Sequence, residues 1–140
     1  MMYLTFFATE GFVVFGATMD LRPGGSYHFG LRAPGGDEMW GKFVYREISP
    51  PHRLVWVHSF SDAAGNVVKH AMSQDWPLLM LATVTFVEQA AGTLLTIRFA
   101  ALDASETERD VFAANHDSMQ QGWTGTLDQL VRYLSGRGID

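Results

Sequence analysis

With 140 residues, 47% hydrophobic and 13% aromatic, the chain has the length and composition of a single folded domain, which excludes disorder and leaves no room for a second unit. Its formal net charge is -5 and its ten Lys and Arg are scattered, which argues against nucleic acid as a partner, and no apolar run approaches the roughly 18 residues of a membrane span. Without cysteine there are no disulfides, thiolate nucleophiles or Cys-based zinc sites, and the apolar start from Met1 to Phe7 lacks a basic n-region, so a cytoplasmic location is expected.

Val13, Phe15, Ala17, Met19 and Leu21 alternate as in a strand, and Arg22-Pro23-Gly24-Gly25 turns the chain into Tyr27, Phe29 and Leu31, which alternate again and complete a hairpin. Pro34-Gly35-Gly36-Asp37 predicts the next turn. Met39 to Ile48 then forms a strand that stops at Ser49-Pro50-Pro51, because proline has no amide hydrogen for a ladder. Arg53 to Phe60 is the next strand, and Asp62-Ala63-Ala64-Gly65-Asn66 has the form of a tight loop with Gly65 left-handed. Pairing Asp62 with Asn66 sets Phe60 opposite Val68, His58 opposite His70 and Trp56 opposite Met72, all on the more apolar face. The two histidines would stand about 5 Å apart. Two further strands, around Leu81 to Glu88 and Thr93 to Leu102, are joined by Ala90-Ala91-Gly92.

The last third predicts one long amphipathic helix from Ser105 to Leu134. Phe112, His116, Met119, Trp123, Leu127, Leu130 and Leu134 recur at steps of three and four and so share one stripe. Ser105-Glu106-Thr107-Glu108 has the form of a capping box, and Gly136 supplies the stop. Gly122 and Gly125 each cost about 1 kcal/mol relative to alanine, which predicts a compensating close approach of helix to sheet beside Trp123. The stripe needs a cover, and only the upstream strands can provide it. The expected fold class is therefore α+β: a curved antiparallel sheet wrapped around one long C-terminal helix, in one domain spanning residues 1–140.

Few residues suggest chemistry. His58 and His70, with His116 on the helix stripe, are types that bind metal, but a site needs more ligands and supporting contacts, so no metal is expected. They serve better as polar handles in an apolar cavity or as satisfied core histidines. Asp20 and Arg22 lie two apart on one strand face and read as a structural pair. Glu47, Glu106 and Glu108 lack a demonstrated pocket, Ser26, Ser49 and Ser59 lack a nucleophile-elbow context, and Gly24-Gly25 opens a strand rather than a phosphate-binding helix. No catalytic residue and no cofactor is assigned.

Several segments taken together resemble a known family: Met19-Asp20-Leu21-Arg22-Pro23-Gly24-Gly25, Tyr45-Arg46-Glu47-Ile48-Ser49-Pro50-Pro51-His52-Arg53-Leu54, Asp75-Trp76-Pro77, Thr83-Val84-Thr85-Phe86, and Gln121-Gly122-Trp123-Thr124-Gly125-Thr126-Leu127-Asp128-Gln129-Leu130. In order and spacing they are similar to bacterial proteins grouped with activators of the heat-shock-protein ATPase, within the START-like (SRPBCC) helix-grip superfamily. The resemblance implies a cavity between sheet and helix, commonly used for apolar small molecules, and carries no universal catalytic motif. The chain departs from the family pattern in two places. The family's first strand and first helix precede a segment matched here by Phe6 to Phe12, and Phe43 stands where the family has glycine, which narrows the cavity if its ring points inward.

The expectation that follows is a non-catalytic binding domain for a small apolar molecule, with Phe29, Phe43, Tyr45, Trp56, His58, His70, Met72, Trp76, His116, Met119 and Trp123 around the ligand. The alternatives are an activator-like module that engages a chaperone, and a cofactor-free hydrolase or cyclase using His58, His70 or His116. The missing first strand would leave an unpaired sheet edge, so a homodimer is also expected, with Tyr3 to Phe7 or that edge covered over more than about 1,000 Å². Sedimentation at micromolar concentration checks this. A clean monomer with protected edge amides would contradict it.

Overall fold

Each long strand foreseen from alternation is present in the computed structural model, which describes residues 13–70 and 73–136. Strands β1 (Val13–Met19), β2 (Ser26–Arg32), β3 (Glu38–Ser49), β4 (Arg53–Ser61), β5 (Val67–Val68), β6 (Leu79–Gln89) and β7 (Gly92–Leu102) form one antiparallel sheet. The order is β1-β2-β3-β4-β6-β7, with the short β5 paired to the end of β4, so β1 and β7 are its edges among the described residues. Helices α1 (Glu106–Ala114) and α2 (His116–Gly136) follow. The protein thus has the helix-grip α+β fold. No helix of the described residues is long and apolar enough to cross a membrane.

The apolar inner face of the sheet is built by cross-strand rows. Tyr45, Trp56, Ala82 and Phe99 stand in register across β3, β4, β6 and β7, and Tyr27, Phe43, His58 and Met80 form the next row across β2, β3, β4 and β6. Phe29 lies over Gly41, where an added Cβ would come within 2.6 Å of the ring, so glycine is what lets this phenylalanine fold down onto β3. Phe43 does point inward: its ring is stacked on Trp56 at 4.8 Å and meets Tyr27 edge-on at 5.4 Å.

Three local expectations are corrected. The alternation in β1 is broken by a bulge between Phe15 and Thr18, where Gly16 takes a φ of 58°. Val14, Ala17 and Met19 therefore pack on the core, while Phe15 turns outward against Trp40 with Arg32 over its ring.

The β4–β5 hairpin begins in the expected register, with Asp62 closing on Asn66 and Phe60 opposite Val68. The pairing ends there, because β6 takes up β4 and places Met80, not His70, opposite His58. Met72 lies outside the described residues.

The single expected helix is two. The Asn115 side-chain amide donates to the Val111 carbonyl at 2.8 Å, the acceptor that its own backbone N–H would use in a continuous helix, and that N–H instead reaches Phe112 at 3.2 Å. The capping box at the start of α1 is formed: the Ser105 hydroxyl accepts from the Glu108 N–H at 3.1 Å, and the Glu108 carboxylate accepts from the Ser105 N–H at 2.9 Å. A hydrogen bond from Lys69, with help from the Ser105 amide, holds the Glu108 carboxyl below its ordinary pKa.

Candidate functional site

Between the inner sheet face and α2 lies a cavity of about 300 Å³. Phe29, Phe43, His58, Phe60, Met80 and Phe99 reach it from β2, β3, β4, β6 and β7, Trp76 from the loop before β6, and Met119, Gly122, Trp123 and Thr126 from α2. The close approach expected at Gly122 is not what the glycine provides. The helix backbone stays clear of the sheet here, side chains such as Trp123 make the contact, and Gly122 lines the cavity.

Among the described residues the wall carries no Asp, Glu, Lys or Arg. Its polar groups are few and uncharged. Burial lowers the His58 pKa to about 4, so the imidazole is neutral near pH 7. His58 Nδ1 and Trp76 Nε1 are both buried with no hydrogen-bond partner among the described residues. Buried polar atoms are normally paired, and one left unpaired costs about 1–3 kcal/mol. Thr126 Oγ1 donates to the Gly122 carbonyl at 3.1 Å, which leaves its lone pairs available. A largely apolar cavity of this kind, with few polar groups, can hold a neutral molecule by shape and orient it through one or two polar atoms.

Of the residues expected around a ligand, Phe29, Phe43, His58, Trp76, Met119 and Trp123 line this cavity. Tyr45 and Trp56 do not: they are 2% and 0% exposed and fill the row beneath it. His70 also stands behind the wall, with its ring 4.8 Å from Phe60 and 6.0 Å from Trp76. His116 lines a second cleft, of about 490 Å³, where it is largely exposed beside Asp117. Sequence reasoning left out Phe60, Met80 and Phe99, although Phe60 was placed on the inner face and the other two obey the alternation of β6 and β7. It also left out Thr126, which nothing in the sequence distinguished. Among the described residues no three His, Asp or Glu side chains gather as a metal-binding group. Asp20 and Arg22 form an exposed ion pair at 2.8 Å, and Glu47 bonds Arg53 and Ser49. These charged groups sit apart from the cavity.

Residues 5–135 match the family profile described as "Activator of Hsp90 ATPase homolog 1-like protein". Among solved structures, a protein from Nitrosomonas europaea is similar at 20% identity with a TM-score of 0.74, covering 99% of this chain and 81% of that one. A Mycobacterium smegmatis protein is similar at 21% identity and a TM-score of 0.71, covering 94% of this chain and 74% of that one. A solution structure from Arthrobacter aurescens has 20% identity and a TM-score of 0.74, covering 94% and 70%. At these identities the likeness shows the fold. No curated protein matches the sequence.

Proposed function

The chain belongs to the family of activator of Hsp90 ATPase homolog 1-like proteins, and from that footing we propose that it is a non-catalytic binding domain for a small, uncharged, mostly apolar molecule held between the sheet and α2. The observation that carries this reading is a largely apolar cavity whose lining includes His58 and Trp76, each with a buried ring nitrogen, Nδ1 and Nε1, that has no hydrogen-bond partner among the described residues. Trp76 Nε1 can only donate, so a ligand that satisfies it does so with an acceptor atom. An ionised ligand is disfavoured because among the described residues no lining Asp, Glu, Lys or Arg supplies a counter-charge, and an unpaired buried ion costs several kcal/mol.

A displacement assay tests this. The neutral dye N-phenyl-1-naphthylamine should bind with a rise in fluorescence, and 2-decanone should displace it at pH 7.5 at least about tenfold more tightly than decanoate does. Equal or tighter binding of the carboxylate would overturn the reading. The alternative of an activator-like module is favoured by the family description alone. Stimulation of a purified chaperone ATPase by a protein that takes up no dye would transfer the function from the cavity to the surface.

A further inference from the structure

We propose that Trp123 is the wall that fixes the length of ligand the protein accepts, an inference that rests on the binding reading above. The cavity of about 300 Å³ and the cleft of about 490 Å³ share three lining residues, Phe99, Met119 and Trp123. Phe99 comes from β7 and Trp123 from α2, and their rings meet edge-on at 5.9 Å, so sheet and helix touch through this pair and divide the space between them. Trp56, in the buried row beneath, backs the Trp123 indole at 6.4 Å. Met119 is flexible and adapts to either side, whereas an indole held by two aromatic neighbours does not.

The two spaces differ in character. The inner one is walled largely by aromatic side chains, of which Phe29 and Phe43 are buried, and among the described residues none of its lining side chains is Asp, Glu, Lys or Arg. The outer one has an apolar floor of Leu95, Ile97 and Leu127, and a rim of exposed His116, Gln120 and Thr124. With Trp123 in place, a ligand in the inner cavity meets the indole and cannot extend on that side into the outer cleft. Without it, the inner chamber runs into the outer cleft, and a chain-like molecule gains room for its apolar body while its end reaches the polar rim.

Straight-chain 1-alkanols from hexanol to dodecanol, displacing N-phenyl-1-naphthylamine from the wild type, Trp123→Ala and Trp123→Leu, test the wall. In the wild type, affinity should climb about fourfold per added CH2 until the inner chamber is filled and then stop. In both variants the climb should continue for several further carbons. Trp123→Leu keeps an apolar side chain at the position, so the comparison survives if the alanine variant does not fold. The same stopping length in all folded proteins, or an unbroken climb in the wild type, would overturn the wall while leaving the binding reading intact. If no alkanol displaces dye from folded protein, the binding reading fails and the wall falls with it.

Discussion

Trp56→Ala is expected to lower the free energy of unfolding by about 3–5 kcal/mol. Trp56 is 0% exposed, stacks on Phe43 at 4.8 Å and stands between Tyr45 and Ala82 in the central row of the sheet. Removing the indole leaves a void that this row cannot close without moving Phe43, whose other ring contacts hold Tyr27 and Phe29. The urea midpoint should fall with little change in slope. A loss below about 1 kcal/mol would mean that Trp56 borders open space rather than packed core.

The second large effect concerns pH. His58 has a pKa of about 4 in the folded chain and an ordinary value of 6.5. Above pH 6.5 the imidazole is neutral in both states, and the full stability is present. As pH falls from 6.5 towards 4, the unfolded chain takes up a proton that the folded chain refuses, so stability is lost across that window, up to about 3 kcal/mol in all. Phenylalanine at this position has no proton to take up. Urea unfolding at pH 7.5 and pH 4.5 should therefore show a smaller loss in His58→Phe than in the wild type. The carboxylates whose pKa is lowered by hydrogen bonds, Asp62 and Glu108, are common to both proteins and cancel in the comparison. An equal loss in the two would show that His58 is solvated and not a buried neutral group.

Local pattern carried much of the fold. Apolar alternation located β2, β3, β6 and β7, and the turn residues between them placed their ends. The misreadings arose where backbone geometry or distant pairing overrides pattern. Val13 to Leu21 alternates without a break, so nothing in it separates a flat strand from one bent at Gly16. Phe112, His116 and Met119 keep helical spacing across Asn115, because exchanging one hydrogen bond barely disturbs the stripe. The loop at Gly65 fixed the first pair of the β4–β5 hairpin, but the competition between β5 and β6 for His58 is non-local. For the site, the inner face was legible and depth was not. Phe43 and Tyr45 share a face two residues apart, yet only Phe43 reaches the cavity, because the position of α2 decides which row is covered.

The most direct test of the binding account follows the indole N–H resonances of the protein during titration with 2-decanone, with the Trp76 signal identified from Trp76→Phe. The Trp76 Nε1 proton is buried without a partner among the described residues, and Trp76 is one of the residues that line the cavity. The account predicts a saturable downfield shift of this resonance at one equivalent, as the N–H gains an acceptor. A Trp76 signal that stays in place at saturating ketone would contradict it.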